Sequence, residues 1–106
     1  MAKVIDEGDY LVLQLSLLEK VGALHNTIRV PKSSLIRVKD MSNPWSRTNG
    51  MQGFRAPGTG LPWVIMLGTI RNKQGRDFAA VYGRGSAKVY EFNGEEFSRW
   101  IITDPS

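Results

Sequence analysis

The chain has 106 residues, which is room for one domain spanning 1–106, since single domains cluster near ~100 to 150 residues. Its composition, 42% apolar and 23% charged, is that of a globular protein, and zero cysteines with one histidine exclude disulfides and thiolate metal sites, so we expect no cofactor. The net charge of +4 comes from basic residues scattered singly, a pattern that disfavours a nucleic-acid binder and leaves an anionic partner open.

Alternating leucines predict the first strand. Leu11, Leu13 and Leu15 recur with a period of two, which indicates a strand over residues 10–16 whose leucines enter the core. Ser16 and Glu19 have the spacing of a capping box, which predicts a short helix over residues 17–24. The pattern then predicts strands over residues 27–31 and 35–40, joined by a turn.

The longest irregular stretch, residues 41–62, follows the third predicted strand. It contains four glycines and three prolines, so we predict one long loop, of the kind that is often functional. Further strands are predicted over 63–71, 76–82 and 87–92 as a meander, and the Asn93-Gly94 turn leads to a seventh strand over 99–103. Seven short strands predict a mainly β fold, a small sandwich or barrel with one short helix after the first strand.

Several segments carry a resemblance to known proteins. The strand, proline, turn, strand pattern of residues 27–38 resembles bacterial pleckstrin-homology-like (PH-like) domains. Residues 15–20 (LSLLEK), 56–62 (APGTGLP) and 75–81 (GRDFAAV) together resemble a family of small, uncharacterised bacterial proteins. The resemblance implies a seven-stranded barrel plugged by a C-terminal helix and a non-catalytic binding module of unknown ligand, and it supplies no catalytic residue.

The predicted loop holds the strongest candidates for binding, because aromatic and arginine side chains are the usual anchors of binding surfaces. The candidates are Trp45, Arg47, Phe54 and Arg55 in the loop, with Arg71 and Lys73 beside the next turn. The alternative is that Trp45 and Phe54 fold back to cover the core.

Other possible sites favour a structural interpretation. His25 has no partner at the spacing of a catalytic triad or metal site, and the carboxylates of Asp6, Glu7 and Asp9 lack the ligand spacing of an EF-hand. Three functions therefore stay open. A PH-like binding module for an unidentified protein or anionic ligand is preferred to a nucleic-acid-binding small barrel, and both are preferred to an enzyme with no recognisable motif.

The last residues bear on assembly. Residues 104–106 (DPS) have the pattern of a helix start, and the resemblance implies that such a helix plugs the barrel. Without that plug, Trp100 and Ile102 would face water unless covered, so we predict self-association, most simply as a two-fold dimer. No apolar run approaches the ~18 residues of a membrane span and no signal peptide is evident, so we predict a cytoplasmic protein.

Overall fold

Most of the chain that the structure describes lies in β-strands. The structure is a computed structural model that describes residues 2–23, 25–45, 54–61, 64–72, 75–83 and 85–103, with backbone alone for 54–61 and 72. Within these residues the strands are β1 (Lys3–Asp6), β2 (Tyr10–Gln14), β3 (Ile28–Pro31), β4 (Leu35–Met41), β5 (Phe54–Leu61), β6 (Ile65–Asn72), β7 (Gly75–Tyr82), β8 (Ala87–Phe92) and β9 (Arg99–Thr103). One helix, α1 (Leu17–Ala23), and a 3-10 turn (Lys32–Ser34) accompany them.

The described strands form two sheets. The smaller is antiparallel with the order β1-β2-β3, and the larger has the order β4-β8-β9-β7-β6-β5. Neighbours in the larger sheet are antiparallel except β7 and β9, which run parallel with Phe78 opposite Trp100. The last strand therefore lies between the two strands that precede it in the chain.

The core lies between the sheets. Leu11, Leu13 and Val30 of the small sheet belong to one buried cluster with Phe78 and Trp100 of the large sheet. Successive residues of a strand point to opposite faces, so a second apolar cluster covers the other face of the large sheet. Its members are Met41, Met66, Ile70, Ala79, Val81, Ala87, Val89 and Ile101. Apolar side chains on both faces explain the unbroken apolar runs of β7 and β9.

The mainly β prediction is confirmed, and the strand over 99–103 has the bounds expected from the sequence. The seven-strand count is wrong for the described residues, which contain nine strands. The strand β1 lies where no strand was expected, and because it comes before β2, the short helix follows the second strand and not the first. The two sheets stay open, so the barrel alternative is not confirmed.

The predicted loop over 41–62 needs a second correction, because β5 occupies its last third. Pro57 cannot donate to a ladder, but β5 is an edge strand and its register shifts between Arg55 and Gly58, where the proline lies. The predicted meander is confirmed for β6 and β7, which pair as antiparallel neighbours, and wrong for β8. β9 separates β7 from β8, and the connection from β8 to β9 runs through residues 93–98, with the Phe92 amide donating to the Ser98 carbonyl.

The residues expected near an open barrel mouth are covered. Trp100 is fully buried, with its ring centroid 4.5 Å from that of Phe92, and Ile102 is buried in the same cluster. Exposure of these side chains therefore gives no reason for self-association. Residues 104–106, the predicted helix start, lie outside the described residues. No helix in the described part of the chain is long and apolar enough to cross a bilayer.

Candidate binding surfaces

Trp45, the first candidate anchor, packs against the second apolar cluster. Its indole Nε1 donates to the Gly83 carbonyl oxygen at 2.7 Å, and its amide donates to Asn43 Oδ1 at 3.1 Å. The residue is half-buried, and these contacts are those expected of a side chain that covers the core.

The backbone positions of three other candidates lie at one end of the large sheet. In the register of β5 with β6, Phe54 lies opposite Arg71 and Arg55 opposite Ile70. Arg71 is exposed. Trp45 donates a hydrogen bond to Gly83, beyond the opposite end of β7, so the candidates that the structure describes do not form one site. Arg47 and Lys73 lie outside the described residues.

The capping box predicted at the start of α1 is confirmed. The Glu19 amide donates to Ser16 Oγ at 3.2 Å, and the Ser16 amide donates to Glu19 Oε1 at 2.8 Å. The second carboxylate oxygen of Glu19 accepts a hydrogen bond from the Tyr82 hydroxyl at 2.5 Å, and Glu19 is only 2% exposed. A single carboxylate thus holds the first turn of α1 onto β7.

This carboxylate and its phenol partner shift each other's protonation. Burial by itself raises the pKa of Glu19, but the hydrogen bonds from Ser16 and Tyr82 outweigh it and leave the pKa below its ordinary value. Burial, together with the negative charge of Glu19, raises the pKa of Tyr82 far above its ordinary value. The pair is therefore a carboxylate bonded to a neutral phenol across the neutral pH range.

The outward side of α1 is apolar, the reverse of an ordinary amphipathic helix. At 3.6 residues per turn, Leu17, Leu18 and Val21 fall on one side, and Glu19 and Ala23 on the other. Yet Glu19 and Ala23 are buried, whereas Leu17 is 77%, Leu18 84% and Val21 66% exposed. We call these three exposed residues the apolar helix face.

The edge strand β4 is the second exposed surface. Among the described strands it pairs only with β8, which leaves the backbone groups of its other side without a strand partner. All of residues 36–40 are exposed, with Ile36 58% exposed. We call these five residues the β4 edge.

Charged side chains line one face of this edge. Arg37 and Lys39 lie on the same face as Glu91, whose carboxylate is 2.5 Å from Arg37 Nε and 3.8 Å from Lys39 Nζ. On the other face, Val38 lies opposite Tyr90, and Asp40 pairs with Lys88 at 3.1 Å. Two cations therefore share one carboxylate, and one positive charge on the Arg37 face is unbalanced within this group.

The row of charge continues into the sheet. Arg99 is the register partner of both Glu91 and Asp77, and its Nη2 donates to Asp77 Oδ2 at 2.7 Å. Asp77 is almost fully buried, so its charge is matched inside the sheet. Among the side chains that the structure describes, the surplus positive charge of this row therefore lies where the row reaches β4.

His25 and the acidic N-terminal cluster make structural contacts. The His25 ring lies edge-on to Phe78 and Phe97, and its nitrogens contact the Asn26 carbonyl and the Glu96 carboxylate. Asp6 pairs with Lys32 at 2.6 Å, and Glu7 pairs with Arg29 at 3.3 Å. In the described parts of the chain, no three acidic or histidine side chains gather as a metal site would require.

Comparison with known proteins gives no relative. No family model matches the chain, no curated protein matches it, and no solved structure matches the fold.

Sequence reasoning missed both exposed surfaces. The signal for the apolar helix face was present, since a capping-box glutamate is set opposite Leu17, Leu18 and Val21 on the helical wheel. The signal for the β4 edge was absent, because the position of a strand in a sheet depends on partners far away in the sequence.

Proposed function

We propose that the protein is a non-catalytic binding module that associates with a second copy of itself through the apolar helix face. One observation carries the proposal: α1 buries its only carboxylate and exposes two leucines and a valine. Contiguous exposed apolar side chains are costly in water and mark interaction surfaces. Lone exposed apolar residues are common, but three within two turns of helix form a patch.

A second copy fits this face because the face carries little charge. The only carboxylate of α1 is turned inward, and Lys20 is its one cation. In a two-fold dimer each patch meets its own copy, so a patch rich in like charges would repel itself, whereas an apolar one does not. Val64, which comes directly before β6 and is 59% exposed, adds apolar surface beside a strand that α1 contacts.

The test is the oligomeric state. Replacing both leucines (Leu17→Gln with Leu18→Gln) keeps helix propensity and removes the apolar surface. We expect light scattering over a wide concentration range to show the dimer affinity weakened at least tenfold. The melting temperature, measured at a concentration where both chains are monomeric, should be unchanged because neither side chain is in the core. Ile36→Gln is the control, because Ile36 is an apolar residue on another surface with 58% of its area exposed, and it should leave the dimer affinity unchanged.

Two results would count against the proposal: a wild-type chain that stays monomeric at every concentration, or an equal loss in the control variant. Salt separates this association from an anionic ligand. Contact between apolar faces changes little with ionic strength, whereas binding to a phosphate-rich ligand weakens steeply.

The resemblance to PH-like domains favours the same class of function, because such domains bind ligands or proteins without catalysing a reaction. The open two-sheet topology gives that resemblance no support at the level of fold. The proposal accordingly rests on the apolar helix face alone.

A further inference from the structure

We propose that the β4 edge binds an extended segment of a different protein, one in which acidic residues alternate with apolar ones, by adding it to the large sheet as a further strand. The β4 edge differs from the apolar helix face in place and in chemistry, and this inference does not depend on dimerisation. It rests on three observations: an unpaired edge, an alternation of side chains, and an unbalanced charge.

The edge is open along its length. Among the described strands β4 has a neighbour on one side only, and residues 36–40 are all exposed. An unpaired strand offers its amide and carbonyl groups to an incoming strand, which is how extended peptides add to sheets.

Side-chain alternation gives the edge its specificity. Arg37 and Lys39 flank Val38 and lie on the opposite face of the sheet from it. An added strand would place alternate residues beside the two cations and the intervening residue beside Val38. Glu91 balances only one of the two cations. An acidic residue of the added strand that lies beside Arg37 or Lys39 therefore gains an ion pair, whereas a basic residue there meets repulsion.

A second copy of the chain does not suit the central part of this edge, residues 37–39. In an antiparallel two-fold pairing centred on Val38, Arg37 of each copy lies opposite Lys39 of the other copy. Centring the pairing on Arg37 or on Lys39 sets that cation against itself. Like charges directly opposite are destabilising, so each of these registers is disfavoured.

The chain's own undescribed stretches are also poor occupants. Residues 46–53 (SRTNGMQG) contain an arginine and no carboxylate, and residues 104–106 (DPS) contain a proline beside their only acid. Neither has the acidic and apolar alternation that the β4 edge selects. We therefore assign this edge, by its charge, to a segment of a separate protein.

The experiment uses a fluorescent seven-residue peptide, Thr-Glu-Val-Glu-Val-Glu-Thr, and measures its anisotropy against the full chain. We expect saturable binding that weakens with salt, no binding of the matching peptide with lysine in place of glutamate, and at least a tenfold loss of affinity in Lys39→Glu. The lysine peptide should bind Lys39→Glu more tightly than wild type. Lys3→Glu, which reverses an exposed lysine on an edge strand of the small sheet, is the matched control and should bind like wild type.

Backbone methylation tests strand addition itself. Peptides N-methylated at the valines or at the glutamates each lose the donors of one edge, so one form should lose binding and the other should retain it. Equal binding by both forms, or an unchanged affinity in Lys39→Glu, would overturn the proposal. So would binding of a single-stranded RNA but not the peptide, with that binding lost in Lys39→Glu.

Discussion

The apolar helix face and the β4 edge are both exposed, but they differ in what lies at the surface and what lies beneath. On α1 the carboxylate is buried and the leucines meet water, whereas on β4 the cations meet water and the sheet lies behind them. We propose a copy of the chain as the partner of the first surface and a different, acidic protein as the partner of the second. The two proposals differ because of the distribution of charge on each surface, more than because of its exposed apolar area.

Each surface depends on one glutamate, and the two glutamates do different things. Glu19 is buried and receives hydrogen bonds from the Ser16 amide and the Tyr82 hydroxyl, so it fixes the position of α1. Glu91 lies beside two exposed cations and balances one of them. Removing Glu19 should disturb the fold, whereas removing Glu91 should change mainly the charge of the β4 edge.

The largest effect is expected from Glu19→Ala. The change leaves the Ser16 amide and the Tyr82 hydroxyl without their partner, so we expect the free energy of unfolding to fall by about 3 kcal/mol, measured by urea denaturation. The matched change Glu91→Ala should lower it by less than about 1 kcal/mol, because the cations that it leaves behind, Arg37 and Lys39, are exposed to water. Equal losses from the two variants would show that Glu19 does not anchor α1.

The next effect is the pH dependence that the same pair creates. Because the pKa of Glu19 lies below its ordinary 4.5 in the folded chain, its contribution to stability is present above that pH and is lost as the pH falls. The pKa of Tyr82 is raised, so its contribution is present below its ordinary 10.0 and declines as the pH rises further.

Tyr82→Phe should flatten both the acid side and the alkaline side of the curve that relates the free energy of unfolding to pH. The alkaline flank loses its titrating phenol, and the acid flank becomes shallower because the Glu19 carboxylate has one donor fewer. At neutral pH we expect a loss of about 2 kcal/mol, the range for a hydrogen bond to a charged group. Denaturant titrations from pH 3 to pH 11 measure all three effects. Tyr10→Phe, at an exposed tyrosine, is the control at neutral pH, and unchanged flanks in Tyr82→Phe would contradict the account.

A third prediction tests whether charge is what keeps β4 from pairing with itself. Arg37→Glu sets an acid opposite Lys39 of a second copy, and Glu91→Gln removes the repulsion that the new acid would meet. In the background of Leu17→Gln and Leu18→Gln, we expect this pair of changes to create self-association about tenfold stronger than in the background alone, since cross-strand ion pairs contribute roughly 0.2–1 kcal/mol each. Sedimentation at low and high salt measures it. No gain would mean that something other than charge protects the edge.

Local patterns predicted the local structure well. The capping box set the start of α1 because its two hydrogen bonds join residues three apart. The strand β9 was predicted from the Asn93-Gly94 turn signal that precedes it. Such features depend on neighbours in sequence, so the sequence alone carries them.

What the sequence could not supply was the pairing of distant segments. β5 escaped prediction because glycines and Pro57 are typical of loops, and only its place at an edge makes them tolerable. The position of β9 between β7 and β8 depends on which faces are buried, a property of the assembled sheets. The sequence also could not show which candidate binding residues lie together, since Trp45 and Arg71 lie at opposite ends of the large sheet.

The smallest effect is expected at Trp45, which belongs to neither exposed surface. Trp45→Phe keeps an aromatic ring against the second apolar cluster but removes the hydrogen bond to the Gly83 carbonyl, so we expect a loss of about 1 kcal/mol in unfolding free energy. Because the residue covers the core, both the dimer affinity and the affinity for the acidic peptide should match those of the wild type. A variant with unchanged stability and weakened binding to either partner would show that Trp45 is a binding anchor and belongs to one of the two surfaces.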